Sequence, residues 1–159
     1  MTLYDEHIHW TNLLPLTFTR SVAECRVGIL TIAEKWEHFL NEKIHIQYAE
    51  SYLQNEPVSD APRVASHILP TRHLAEAVAG LQDNQSLQYQ GEIIASRNPT
   101  NTPEIISYTQ DLKSIRYPWH IFLLNDEELK KDYELITADR ISAPIPEDNR
   151  TMGEQIFLE

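Results

Sequence analysis

Residues 12–40 read NLLPLTFTRSVAECRVGILTIAEKWEHFL, and this stretch decides the fold. It opens as an apolar turn with three hydroxyls and a proline, residues that fix a bend in the backbone and offer donors to an anion. Arg20 and Arg26 follow, and then Gly28. A guanidinium keeps its charge at any physiological pH and presents a planar fork that matches phosphate. Beyond Gly28, the apolar residues Ile32, Trp36, Phe39 and Leu40 predict an amphipathic helix that fastens the loop to a core. The two arginines would face different ways on a straight helix, so a shared anion site requires a bent loop. The rival reading pairs each arginine with an acid such as Glu24.

Working outward, residues 2–4 predict a short first strand ending in Asp5 and Glu6. An acid at the end of a first strand stands near the mouth of an α/β site, which makes Asp5 the candidate metal ligand. His7 and His9 would share a face on a strand, but no third ligand follows at a convincing spacing, which argues against zinc. Downstream, residues 43–49 (KIHIQYA) alternate, with Ile44, Ile46 and Tyr48 on one side. Residues 51–54 predict a helical turn and residues 56–62 a loop, while residues 63–69 (RVASHIL) predict a buried strand closed by Pro70. Thr71 then caps a helix whose apolar positions are Leu74, Ala77, Val78 and Leu81. Strand, loop, strand and helix in this order predict an α/β fold, with a mostly parallel central sheet flanked by helices.

The second half is expected to hold a hairpin around Gln90-Gly91 and a strand at residues 104–109. Tyr117, Pro118 and Trp119 read as a packing anchor, with an aromatic binding platform as the alternative. Asn125 is expected to cap the last helix, with Asp126, Glu127 and Glu128 complementing its dipole and Leu129, Tyr133 and Ile136 buried. Residues 142–149 (SAPIPEDN) read as a linker.

With 159 residues, 42% hydrophobic and 9% aromatic, the chain suits one domain with a sizeable core. A net charge of -11 argues against a nucleic-acid partner. Arg20 and Arg26 are a local exception in that acidic chain. The lone Cys25, between Ala23 and Val27, reads as a buried thiol rather than a nucleophile. No basic leader and no apolar run of about 20 residues is found, so the expected location is cytoplasmic and off the membrane.

The pattern LLPLTFTR-x-VAE-x-R-x-GILTI-x-EKW resembles the opening of a bacterial family related to sugar nucleotidyltransferases. Its members look like uridylyltransferases for N-acetylglucosamine-1-phosphate fused to a left-handed β-helix acyltransferase. YPW-x-IF-x-LND-x-x-L-x-x-D-x-EL resembles the end of the same nucleotidyltransferase-like region. Pro15-Leu16-Thr17 matches the P-L-T of ordinary sugar nucleotidyltransferases, Arg20 falls near their P-K-P lysine, and Gly28 near the glycine of their G-K-P. Three places depart from the pattern. DEHIHWT, without glycine, stands where those enzymes carry G-x-G-T-R; Ser21 stands where the relatives read T-R-P; and Ser66-His67-Ile68-Leu69-Pro70 stands where many have G-D-x-P.

The resemblance implies a shortened nucleotidyltransferase-like (Rossmann-like) domain at residues 1–147. Residues 148–159 would then be a linker and the start of a truncated left-handed β-helix. It implies transfer of a nucleotidyl group from UTP to a sugar-1-phosphate such as N-acetylglucosamine-1-phosphate, giving a sugar-nucleotide precursor of the cell envelope. Arg20 and Arg26 would be the catalytic cations, Asn12, Thr17, Thr19 and Gly28 would bind substrate, and Asp5 would hold Mg²⁺. It further implies a homo-oligomer in the full-length protein. A second reading is a non-catalytic domain that binds a sugar nucleotide or serves as scaffold for the β-helix. A third is a structural α/β module with no ligand.

Overall fold

Leu3, with no solvent exposure, sits in the middle strand of three that run parallel, and the rest of the fold is layered around it. The computed structural model describes residues 1–53, 60–153 and 156–158. In chain order these form β1 (Thr2–Tyr4), α1 (His7–Asn12), α2 (Ile32–Leu40), β2 (His45–Gln47), β3 (Arg63–Ala65), α3 (Arg72–Ala79), β4 (Gln85–Tyr89), β5 (Glu92–Arg97), β6 (Glu104–Ser107) and α4 (Pro118–Thr137). Short 3-10 turns lie at Val22–Glu24 and Ser51–Leu53. The sheet order is β2-β1-β3-β5-β4-β6. β1 pairs in parallel with β2 and β3, and β4 with β6; only β5 runs antiparallel to its neighbours β3 and β4. The expected α/β fold with a mostly parallel sheet is the one observed. The β4–β5 hairpin turns through Gln90 and Gly91, at φ 49 and φ 89, the left-handed pair that a two-residue hairpin turn requires.

The helices that carry the core start where side-chain chemistry tells them to. Thr31 Oγ1 accepts from Glu34 N–H at 3.2 Å while Glu34 Oε2 accepts from Thr31 N–H at 2.7 Å, a reciprocal cap for α2. Ile32 and Trp36 are fully buried on the inner face of α2, and the Trp36 indole donates to the carbonyl of Ile68 at 3.3 Å. Thr71 Oγ1 accepts from Leu74 N–H at 3.2 Å, and α3 buries Leu74, Ala75 and Val78.

Elsewhere the structure corrects the sequence. The last helix does not start at Asn125. It is one 20-residue helix that begins at Pro118, where a missing N–H costs no hydrogen bond. Asn125 therefore lies inside α4, Leu129 is exposed, and the fully buried positions are Glu128 and Asp132. Two acids can be buried there because Lys35 of α2, 2% exposed, reaches both of them. His7 and His9 lie on a helix rather than a strand, with His7 exposed and His9 buried. Tyr117 and Trp119 stack on each other at 4.5 Å and both remain exposed, so they do not anchor the core. The strand expected over residues 63–69 stops at Ala65. Residues 56–59 of the expected loop lie outside the described residues.

Past α4, Ile156, Phe157 and Leu158 are half-buried. Leu158 N–H donates to Ser142 Oγ at 3.0 Å, and its carbonyl accepts from Ala143 N–H at 3.0 Å. No described helix is long and apolar enough to cross a membrane.

Candidate functional site

The loop that carries the two arginines is pinned at both ends. At its start, Asp5, just past β1, accepts from Ser21 Oγ at 2.8 Å, Val22 N–H at 3.1 Å and Ser66 Oγ at 2.5 Å, all through Oδ1. Ser66 itself follows β3, so Asp5 ties the loop to the carboxyl ends of two parallel strands, where open α/β sheets bind ligands. Ser21 caps the following turn, and Glu24 closes the cap by accepting from Ser21 N–H at 2.8 Å. That hydrogen bond occupies the acid expected to compete for the arginines. Inside the bend, the buried Thr17 donates its hydroxyl to the Trp10 carbonyl at 2.7 Å.

At the far end, Gly28 adopts φ 88 and donates its N–H to Asn125 Oδ1 at 3.0 Å. Ile29 and Leu30 donate theirs to Asp132 Oδ2 at 2.9 and 3.0 Å. A Cβ on Gly28 would lie 2.6 Å from Asp132 Oδ2 and 2.8 Å from the carbonyl carbon of Glu128. Gly28 is thus the point where the loop meets α4.

Thr19 and Arg20, just before the first pin, and Arg26, between the two, form a wall shared by two clefts. One, of about 560 Å³, is acidic on its far side, with Glu24, Glu34 and Glu37. The other, of about 500 Å³, has no carboxylate in its lining and offers Leu16, Ile121 and Phe122 beside the arginines. Arg26 donates to the Ile29 carbonyl and lies 3.9 Å from Glu34 Oε2. Among the described residues, no carboxylate pairs with Arg20. Cys25 also lines the second cleft, but burial pushes its thiol up to about 11, so it stays protonated at neutral pH.

The structure therefore brings together Arg20, Arg26 and Thr19. It does not bring the other sequence candidates into the clefts. Thr17 faces into the loop, Gly28 faces α4, Asn12 is half-buried at the end of α1, and Asp5 lies beneath the loop. Burial raises the Asp5 carboxyl above its ordinary value, against the opposing pull of its Ser66, Ser21 and Val22 hydrogen bonds.

A second group escaped the sequence reading: Glu6, His9, His67 and Glu92 place one potential ligand atom each within 4.8 Å of one another. Glu6 and His9 become neighbours only once residues 7–12 are known to be helical, which the two-residue histidine spacing concealed. His67 and Glu92 arrive from different strands, and no local pattern announces that meeting. Burial holds the His67 imidazole down to about 2, with His9 and Arg116 acting in the same direction.

A family model described as Sugar nucleotidyl transferase matches residues 1–141, a span that takes in the entire sheet, the arginine loop and α4. No curated protein matches the chain.

Proposed function

We propose that this chain, which belongs to the sugar nucleotidyl transferase family, holds the polyphosphate of a nucleoside triphosphate on Arg20 and Arg26. The observation that carries this reading is the Arg20 guanidinium, unpaired with any described carboxylate and lining, besides the acidic cleft, one with no carboxylate in its wall, on a chain of net charge -11. In the reaction, an oxygen of a sugar-1-phosphate attacks the α-phosphorus. The bond from that phosphorus to the bridging oxygen breaks, and pyrophosphate leaves. Catalysis of this kind rests on position and charge, which two fixed guanidinium groups supply to the leaving phosphates. Thr19 donates a hydrogen bond from the same wall, and Thr17 and Gly28 act by holding the loop in shape. Leu16, Ile121 and Phe122 offer the apolar surface on which a base or sugar ring would rest.

UTP and N-acetylglucosamine-1-phosphate are the substrate pair we propose, in the cytoplasm where such nucleotides are made. The exposed Leu123 and Trp119 of α4 suit contact with a second copy, in keeping with a homo-oligomer. Residues 1–147 would form the catalytic domain, and residues 148–159 would lead toward a β-helix.

Nucleotidyl transfer ordinarily uses a divalent cation on the leaving phosphates. Asp5 does not fit Mg²⁺ in this fold. Its Oδ1 already accepts three hydrogen bonds and its Oδ2 is sealed from solvent, whereas Mg²⁺ retains several waters. Asp5 serves the loop instead.

One observation favours the second reading, a domain that binds without chemistry. The segment in the place of the glycine-rich loop is built into helix α1, and a buried histidine stands at the G-D-x-P position. The deciding experiment incubates the protein with UTP, N-acetylglucosamine-1-phosphate and a divalent cation and follows pyrophosphate, beside calorimetric titration with UTP. Pyrophosphate release supports the enzyme. Binding without release supports the scaffold. No binding of UTP overturns the triphosphate reading and leaves the sugar-nucleotide or scaffold role.

A further inference from the structure

We infer that Glu6, His9, His67 and Glu92 form a binding site for one first-row transition-metal ion, Zn²⁺ by the chemistry of the donors. Glu6 caps α1, His9 lies within it, His67 follows β3 and Glu92 opens β5, so four separate points of the chain meet. Glu6 Oε2 is 3.3 Å from His9 Nε2 and 3.5 Å from His67 Nδ1. Glu92 Oε1 is 3.5 Å from His9 Nε2 and 3.9 Å from His67 Nε2. Bonds of about 2.0–2.1 Å from a tetrahedral Zn²⁺ put neighbouring ligand atoms roughly 3.3–3.4 Å apart, close to the separations of Glu6 Oε2 and Glu92 Oε1 from His9 Nε2, and one nitrogen of His67 completes the set.

The second observation is that the facing atoms are not satisfied by one another. The His67 side chain is 1% exposed, yet neither of its ring nitrogens makes a hydrogen bond. Glu6 Oε2, which faces both rings, is likewise buried without a partner. Burying such groups unpaired is costly, and native proteins seldom leave several in one place. One ion at their centre would give a partner to Glu6 Oε2 and to one nitrogen of His67 at once.

The surroundings aim the ligands. Arg116 holds Glu92 through Oε2, which leaves Oε1 facing the two imidazoles, the arrangement by which an outer residue orients a metal ligand. The rings of His9 and His67 lie 3.9 Å apart, tilted by 40° to one another. Two imidazoles and two carboxylates suit Zn²⁺ or its neighbours and not Mg²⁺, which prefers oxygen alone. The site is separate from the arginine clefts and does not depend on the nucleotide reading.

The test uses the whole chain, stripped with EDTA and dialysed. Calorimetric titration should show one equivalent of Zn²⁺ bound and no comparable uptake of Mg²⁺, and Zn²⁺ should raise the melting temperature. Co²⁺ in its place should give the visible absorption of a tetrahedral ion. His67→Gln and Glu92→Gln should each weaken Zn²⁺ binding about tenfold or more. Glu6→Gln, at a partly exposed position, serves if either of those fails to fold. Failure of the stripped chain to take up Zn²⁺, equal uptake of Mg²⁺, or uptake unchanged in the folded variants would overturn the assignment.

Discussion

Lys35 and Asp132, 97 residues apart in the chain, form an ion pair out of reach of solvent that locks α2 to α4. The same ammonium donates to Glu128 Oε2 at 2.9 Å, and Lys131 approaches the other Glu128 oxygen at 3.1 Å. Removing one member of a buried pair leaves the other charged and desolvated. Lys35→Met should therefore destabilise the fold by about 3–5 kcal/mol, read by urea unfolding. A variant as stable as the parent would show that the pair contributes nothing net.

Gly28→Ala meets two obstacles in one place. The backbone holds φ 88, and the added Cβ would lie 2.6 Å from Asp132 Oδ2. Together these should cost on the order of 2–3 kcal/mol, seen as a lowered melting temperature. Full retention of stability would mean that α4 can retreat from the loop without loss.

The two arginines should separate under mutation. Arg20→Ala removes a group with no described carboxylate partner, so it should weaken triphosphate binding by about 1–3 kcal/mol and leave the melting temperature in place. Arg20→Lys should restore only part of the affinity, because the planar fork is lost. Arg26 also donates to the Ile29 carbonyl, so Arg26→Ala should lower both affinity and stability. Calorimetry with UTP beside thermal melts distinguishes the two. Unchanged affinity in Arg20→Ala would favour the structural reading of the loop.

Stability should fall in alkaline solution. Burial holds the Cys25 thiol at about 11, against 9.0 when free, so between those values the folded chain keeps a proton that the unfolded chain has lost. The contribution is complete below pH 9 and is lost as pH rises toward 11, at a rate no steeper than about 1.4 kcal/mol per pH unit. Tyr4, raised to about 12 by burial, adds a slope of the same sign above pH 10. Cys25→Ala should flatten the pH 9–11 part of the stability profile and keep the later part. An identical profile in that variant would rule out the thiol as its source.

What was legible in the sequence was local. Thr71, placed just before an apolar repeat, announces a helix start, and its hydroxyl does cap α3. The alternation of Ile44, Ile46 and Tyr48 and the apolar spacing of α3 follow the same short range. Long-range charge was not legible. Lys35, in the run EKW, resembles a surface residue until Asp132 and Glu128 are seen to enclose it. The same blindness moved the start of α4. Asn125 followed by three acids has the composition of a helix cap, but its side chain is used to hold Gly28. At the candidate site, the meeting of Arg20 with Arg26 could be anticipated from a bend. The burial of the Thr17 hydroxyl could not, because it depends on the Trp10 carbonyl lying inside the turn.

The pins on the arginine loop have a consequence for how a ligand would be received. Thr17 is held by the Trp10 carbonyl, Asp5 fastens Ser21 and Val22, and Asp132 fastens Ile29 and Leu30, so the chain around both arginines is set before any phosphate arrives. The entropy of ordering the cradle is then lost during folding and not at the moment of association. Asp132→Asn touches no ligand, yet it should slow triphosphate capture and steepen its temperature dependence, because each encounter would have to freeze a loosened segment. Stopped-flow association rates measured on the folded variant would reveal that shift.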